Sequence, residues 1–262
     1  MSGMPAERST GARAALGFAQ RLGTIGSQVL GENLVSAIVH GSLMFDDYVP
    51  GRSDIDVLAI VDRSLSDSEI ESLTRAVTAE RAHAPARVDL RFVTRDVAAM
   101  PSEAPPLERY IELKVAASPE VETRRREPDL VVELSICRQH GRALLGATPR
   151  QLIGEVPFEW LLSVGDAQLA RWQSLTDDAP HAALMALTAC RIWRFNEERI
   201  HCSKSAAGSW ALARDPSLHA IRDALHQRAG DRVRVEPAEI ARLLEIVRAR
   251  VAISKDVEPR DL

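Results

Sequence analysis

Hydrophobic positions in the first part of the chain switch between helical spacing and short β-branched runs. Apolar residues at helical spacing predict a helix over residues 12–30. Two β-branched runs, residues 34–42 and 54–61, predict strands joined by a polar loop. A capped helix is predicted over residues 66–82, and strict alternation over residues 86–93 predicts a half-buried third strand. This half of the chain therefore combines helices and strands.

The pattern changes after the third strand. Helical spacing predicts a short helix over residues 107–117 and a longer one over residues 130–145, before a Gly- and Pro-rich linker that ends at Pro157. Beyond the linker, helical spacing alone is found, over residues 158–175, 181–196, 203–213, 217–229 and 237–254. We therefore expect an α+β protein, with an α/β domain over residues 1–157 and a helical bundle over residues 158–262.

Composition and charge narrow the function. The chain carries 33 Lys and Arg against 37 Asp and Glu, a net charge of −4, and so lacks the basic excess of a sequence-independent nucleic-acid binder. Neither a signal peptide nor the roughly 18–20 apolar residues of a membrane span is found. The three cysteines form no CxxC pair and no disulfide framework. We expect a cytoplasmic monomer that binds small molecules and neither nucleic acid nor membrane.

Paired carboxylates are the strongest chemical signal. Asp54 and Asp56 are two residues apart on a predicted strand, so both side chains lie on one face, where carboxylate oxygens suit hard divalent cations. Upstream, Gly41 permits close approach of a ligand, and the Ser42 hydroxyl can contact phosphate oxygens. Together these residues indicate a nucleotide and metal site. Asp phosphatases and DxD glycosyltransferases fit less well, because Val57 follows the pair and the α/β domain is small.

Asp89 is the third carboxylate, on the next predicted strand. It could complete a two-metal clamp for phosphoryl or nucleotidyl transfer. The alternative is a plain ion pair with Arg87 or Arg91 on its own face. The sequence leaves both open.

Two groups of motifs resemble a known family. His40-Gly41-Ser42 followed by Ser53-Asp54-Ile55-Asp56, with Asp89 on a later strand, resembles the DNA-polymerase-β-like nucleotidyltransferase superfamily. Past the linker, Cys190-Arg191-Ile192 and the segment from Cys202 to Arg214 are similar to the AadA-type spectinomycin/streptomycin adenylyltransferases. The resemblance implies a mixed sheet in the first domain and a helical second domain that closes over substrate and nucleotide.

The resemblance also implies roles. Asp54 and Asp56 would hold two Mg²⁺ ions, and Asp89, where the family usually has glutamate, would be the general base or a further metal ligand. The ATP phosphates would contact the following residues: Gly41, Ser42, Ser53, Arg191 and Lys204. Arg191 has separate support, because the helical spacing places it among apolar residues, where an arginine needs an anion. Acidic residues suited to a polycationic drug are Glu112, Asp177 and Asp178.

The implied reaction is transfer of AMP from Mg-ATP to a hydroxyl of a spectinomycin- or streptomycin-like aminoglycoside, with release of pyrophosphate. Two alternatives stay open. The same machinery could act on another acceptor, such as a protein, a tRNA end or a metabolite. The chain could also be a catalytically silent nucleotide-binding regulator, because Asp89 replaces the usual glutamate.

Overall fold

The structure, a computed structural model, describes residues 4–114, 120–122, 125–126, 128–176 and 181–255. The chain divides into two units, Met1–Pro157 and Phe158–Leu262. The elements of the first unit are helix α1 (Met4–Leu30), strands β1 (Leu34–His40) and β2 (Ile55–Val61), helix α2 (Asp67–Ala79), strand β3 (Val88–Thr94), helix α3 (Arg95–Ala99), strands β4 (Pro106–Leu107), β5 (Arg109–Leu113), β6 (Glu120–Glu122) and β7 (Arg125–Arg126), helix α4 (Pro128–His140), strand β8 (Arg142–Gly146) and helix α5 (Pro149–Leu152).

Six of these strands form one mixed sheet, in the order β6-β5-β3-β2-β1-β8. Strands β2 and β3 are parallel, and every other neighbouring pair in this sheet is antiparallel. Strands β4 and β7 pair separately. The predicted α+β class with a mixed sheet is confirmed.

Each face of the sheet packs against helices. On β2, Val57, Ala59 and Val61 belong to the core cluster that contains side chains of α1 and α2. The alternate residues, Leu58 and Ile60, belong to the cluster that contains side chains of α4. This alternation places Asp56, which precedes Leu58 by two residues, on the α4 face.

The helix predicted over residues 107–117 is wrong. Residues Arg109–Leu113 form strand β5, which pairs with β3, and Ile111 and Leu113 are buried in the core. A short apolar run fits a helix and a buried strand equally well, and here pairing with a distant strand decides the outcome.

The helix predicted over residues 130–145 ends early. Helix α4 stops at His140, and residues 142–146 form β8 along β1. At Gly141, a Cβ would lie 2.5 Å from the Cys137 carbonyl oxygen and 2.7 Å from Ile38, so the chain can turn closely there only without a side chain.

Among the described residues of the second unit, α-helices joined by short connections are the regular elements. Its elements are α6 (Phe158–Trp172), α7 (Ala182–Glu198), α8 (Lys204–Arg214), α9 (His219–Ala229) and α10 (Pro237–Lys255). The predicted helical region is confirmed. Trp193 of α7 is fully buried among side chains of α8, α9 and α10. Across the described parts of both units, no helix combines the length and the apolar character needed to span a membrane.

Candidate active site

A row of polar residues crosses the first unit's sheet. Asp56 of β2 is opposite His40 of β1 on one side and Asp89 of β3 on the other. Asp89 is in turn opposite Glu112 of β5. Directly paired residues present their side chains to the same face of a sheet, so the row gathers three carboxylates and an imidazole on the α4 face.

Arg87 joins three carboxylates beside this row. Its Nη2 lies 2.5 Å from Asp54 Oδ2 and 3.5 Å from Asp89 Oδ2, and its Nη1 lies 3.2 Å from Glu112 Oε1. Burial lowers the pKa of Arg87, but the charges of Asp89, Asp54 and Glu112 outweigh it, and the net shift is upward. The ion pair between Asp89 and Arg87 that the sequence allowed is therefore present.

Glu112 lies on a strand and not on the predicted helix. It is 7% exposed, and its carboxylate is paired with Arg87 and, at 2.9 Å, with Lys114 Nζ. A carboxylate with two cationic neighbours has little charge to offer a cationic ligand. Its assignment to acceptor binding stays a prediction, and Asp177 and Asp178 lie outside the described residues.

Asp56 has the most perturbed carboxyl group of the row. Burial raises its pKa to about 8, and the negative charges of Glu133, Asp89 and Asp54 contribute, against the opposing charge of Arg91. Such a group is costly to ionise unless a cation balances it. A divalent cation fits this requirement.

Asp89 is held by a second contact. The Tyr110 hydroxyl donates to Asp89 Oδ1 at 2.8 Å, and the Arg91 guanidinium lies 5.0 Å from the centre of the Tyr110 ring. Burial raises the pKa of Tyr110, as does the charge of Asp89, so the hydroxyl is a proton donor at neutral pH. Asp89 itself is 8% exposed.

Glu133 of α4 adds a carboxylate above the row. Its Oε2 lies 3.2 Å from His40 Nδ1, and His40 is 1% exposed. Glu133 is also the strongest charge acting on Asp56. The polar cluster therefore extends from the sheet to the helix that covers it.

The donors suit Mg²⁺, whose preferred protein ligands are carboxylate oxygens. Asp54 and Asp56 present them on one face, and the raised pKa of Asp56 shows that cationic charge is in short supply there. Within the described ranges, no three His, Cys, Asp or Glu side chains are placed to hold a metal by themselves. A metal bound here would need further oxygen ligands, from water or from a nucleotide.

The loop after β1 lies against Asp56. Gly41 has φ +66°, and a Cβ at this position would overlap Asp56 Oδ2. The next residue, Ser42, has a buried hydroxyl that makes no hydrogen bond to the described part of the chain. Ser53 Oγ, at the other end of the loop, accepts from the backbone N–H of Val49 at 3.0 Å. Ser42 therefore has unused hydrogen-bonding capacity beside a carboxylate.

The remaining predicted nucleotide residues belong to the second unit. Arg191 lies on α7 and is half-buried, while Leu184, an apolar residue seven positions earlier on the same helix, is 42% exposed. Burial raises the pKa of the Cys202 thiol against the charges of Arg194 and Arg191, so Arg191 lies near the segment that opens α8. Lys204 is the first residue of α8, behind the N-cap Ser203, which accepts from Ala206 N at 3.0 Å.

Comparison with known proteins agrees with the residue-level picture. Residues 151–256 match the family model of the aminoglycoside adenylyltransferase C-terminal domain. Aminoglycoside (3'') (9) adenylyltransferases of Klebsiella pneumoniae, Shigella flexneri and Escherichia coli are each 31% identical over 91 residues. The matched segments cover 35% of this chain and 35% of each of those relatives.

The fold of the chain also matches a solved structure. The spectinomycin adenyltransferase AAD(9) from Enterococcus faecialis, crystallised with ATP and spectinomycin, aligns with a TM-score of 0.70 and 16% identity. The alignment covers 87% of this chain and 96% of that one. At this identity the likeness establishes the fold.

Three polar residues of the candidate site have no predicted role in the sequence: His40, Tyr110 and Glu133. The sequence could have indicated a role for Glu133, because this charged residue lies between Leu130 and Leu134 on the mostly apolar side of α4. A charged residue there needs a partner, which is the argument applied above to Arg191. No comparable signal marks Tyr110, because its segment was predicted to be a helix.

Replacing Gly41 by alanine is expected to reduce the nucleotidyl transfer that the sequence predicts by about 100-fold or more. The new methyl group would displace the Asp56 carboxylate, and a shift of about 1 Å can cost a factor of this size. The matched control is Gly31→Ala. Gly31 also has positive φ, at +54°, but an added Cβ meets nothing within 4 Å. Steady-state kinetics and thermal melts of both variants separate the clash from backbone strain, and equal activities would contradict the prediction.

Proposed function

We propose that the chain transfers AMP from ATP to a hydroxyl of a spectinomycin- or streptomycin-like aminoglycoside and releases pyrophosphate. The observation that carries the proposal is the close approach of Gly41 to Asp56, the second carboxylate of the Asp54/Asp56 pair, in a chain of which residues 151–256 match the aminoglycoside adenylyltransferase C-terminal domain. The AAD(9) structure with ATP and spectinomycin supports the choice of ligands.

The bond changes of this reaction are simple. The acceptor hydroxyl oxygen forms a bond to the α-phosphorus of ATP, and the bond from that phosphorus to the bridging oxygen of the β-phosphate breaks. The hydroxyl proton goes to a base, for which Asp89 is the candidate, and pyrophosphate leaves. General-base action requires hydrogen-bond distance from the hydroxyl.

Different residues of the chain would have different roles in this reaction. Asp54 and Asp56 would hold Mg²⁺, which neutralises charge on the phosphates as it develops. The Ser42 hydroxyl would donate to a phosphate oxygen, which gives this buried group its missing partner. Arg191 and Lys204 would add positive charge from the second unit. Arg87 would have to release Asp54 Oδ2 for a metal to bind that oxygen.

A different acceptor is the second candidate. It is favoured by one observation, the pairing of Glu112 with Arg87 and Lys114, which removes the predicted acidic contact for a polycationic drug. In this case ATP and metal binding would be unchanged, and a protein, a tRNA end or a metabolite would receive the AMP.

The test is pyrophosphate release by the purified chain with Mg-ATP and spectinomycin, streptomycin or a kanamycin-type aminoglycoside, with the mass of each product measured. We expect one adenylyl group on spectinomycin or streptomycin, loss of turnover with EDTA, and recovery with Mg²⁺. Asp54→Asn, folded as judged by circular dichroism, is the negative control. Binding of Mg-ATP without product from any drug would reject the drug assignment and favour the second candidate or the silent regulator.

A further inference from the structure

Tyr110 is the polar contact that most restricts Asp89. Its hydroxyl donates to Oδ1 at 2.8 Å, which is a strong hydrogen-bond distance for a charged acceptor. The other oxygen, Oδ2, has the longer contact, at 3.5 Å from Arg87 Nη2. The two oxygens of Asp89 are therefore in different surroundings, one fixed and one loosely held.

The fixing group is itself held rigidly. Tyr110 lies on β5 opposite Arg91 of β3, and the Arg91 guanidinium lies 5.0 Å from the centre of its ring. This position is two residues from Glu112, the residue opposite Asp89, so the phenol hydroxyl reaches back along the sheet face to Asp89. A stacked ring on a paired strand has few alternative orientations.

Orientation matters for a short carboxylate. The torsion that turns an aspartate carboxylate is broad, so an unconstrained Asp89 could rotate and bring Oδ2 into a full ion pair with Arg87. A base that must meet a substrate hydroxyl at hydrogen-bond distance loses rate when its direction is uncertain. A donor on Oδ1 prevents that rotation and leaves Oδ2 facing away from Tyr110.

We propose that Tyr110 is a positioning residue, whose hydroxyl holds Asp89 Oδ1 so that Oδ2 is the oxygen that receives the proton of the acceptor hydroxyl. The inference rests on the proposed adenylyl transfer and on Asp89 as its base. It assigns Tyr110 no contact with ATP or the acceptor.

The test is Tyr110→Phe, which removes one oxygen atom and keeps the ring beneath Arg91. We expect kcat to fall about 10-fold, with the KM for ATP and the Mg²⁺ concentration for half-maximal rate each changed by less than about twofold. The matched control is Ser64→Ala, which removes another hydroxyl-to-carboxylate hydrogen bond, from Ser64 Oγ to Glu108 at 3.3 Å, beyond the opposite end of β2. Ser64→Ala should leave kcat unchanged.

A double-mutant cycle shows whether Tyr110 acts through Asp89. In an Asp89→Asn background, single-turnover rates with labelled ATP should be the same with Tyr or Phe at position 110, within about twofold. An undiminished kcat in Tyr110→Phe would overturn the proposal, as would an equal loss in both backgrounds or a raised Mg²⁺ requirement. Failure of the adenylyl-transfer assignment looks different, because the wild-type chain would then adenylate no drug.

Discussion

Asp56→Asn is expected to lower turnover by at least about 1,000-fold and to raise the thermal midpoint of unfolding. In the proposed function Asp56 holds the metal ion that balances developing phosphate charge, so its replacement forfeits several kcal/mol of transition-state stabilisation, and about 4 kcal/mol corresponds to 1,000-fold. Stability should change in the opposite direction, because partial burial and the negative charges of Glu133, Asp89 and Asp54 raise the pKa of the wild-type carboxyl and make its ionisation costly. We expect a gain of about 1–2 kcal/mol at pH 8.

The sign of the pH dependence follows from the raised pKa of Asp56. Between about pH 4 and pH 8 the native state keeps a proton on this carboxyl that the unfolded chain has already lost. Wild-type stability should therefore fall across this range as pH rises, and the advantage of Asp56→Asn should grow. Urea unfolding at several pH values, without metal, measures both trends.

Added Mg²⁺ provides the control for the expected loss of turnover and gain of stability in Asp56→Asn. It should stabilise the wild-type chain and have much less effect on Asp56→Asn, since binding to the native state raises stability only where affinity is retained. A variant that keeps its turnover, or that is less stable than the wild type at pH 8, would contradict the account of Asp56 as an undercompensated metal ligand.

Trp193→Ala is expected to destabilise the helical unit by about 3–5 kcal/mol, the usual cost of truncating a large buried aromatic side chain. Trp193 is fully buried, its Nε1 donates to Glu197 at 2.5 Å, and its ring centre lies 5.1 Å from that of Trp210. The Arg250 guanidinium also lies 4.3 Å from its ring centre. Removal would leave a cavity and would take from Glu197 its indole donor.

Unfolding of Trp193→Ala can be followed by the loss of helical circular dichroism in urea. Leu184→Ala on the same helix is the matched control. Leu184 is 42% exposed, so its truncation should cost less than about 0.5 kcal/mol. Similar costs for the two variants would show that α7 does not carry the core of this unit.

Local patterns predicted much of the fold. The strands that carry Asp56 and Asp89, and the helices of the second unit, are visible in short stretches of sequence because their spacing and caps are local. Strands β5 and β8 were missed because each is defined by a distant partner, β3 and β1 respectively. Non-local pairing overrides an apolar spacing that would also suit a helix.

The residues of the candidate site also differ in whether local sequence or distant pairing places them there. Asp54, Asp56 and Gly41 stand out because their roles follow from neighbours in sequence. Tyr110 and Glu133 reach the site only through the pairing of β5 and the packing of α4, which no local pattern encodes. The sequence indicated the carboxylates of the site, and the structure indicates the groups that orient them.

The row of polar residues from His40 to Glu112 restricts where the first unit can gain or lose residues. A strand's side chains alternate between faces, so inserting one residue between Asp56 and Leu58, with the rest of β2 in its native register, would turn that carboxylate towards α1 and α2. Loops such as residues 46–52 can change length without this penalty. Viable insertions and deletions should therefore concentrate in the loops, and the strand segments that carry the row should keep constant lengths across working variants.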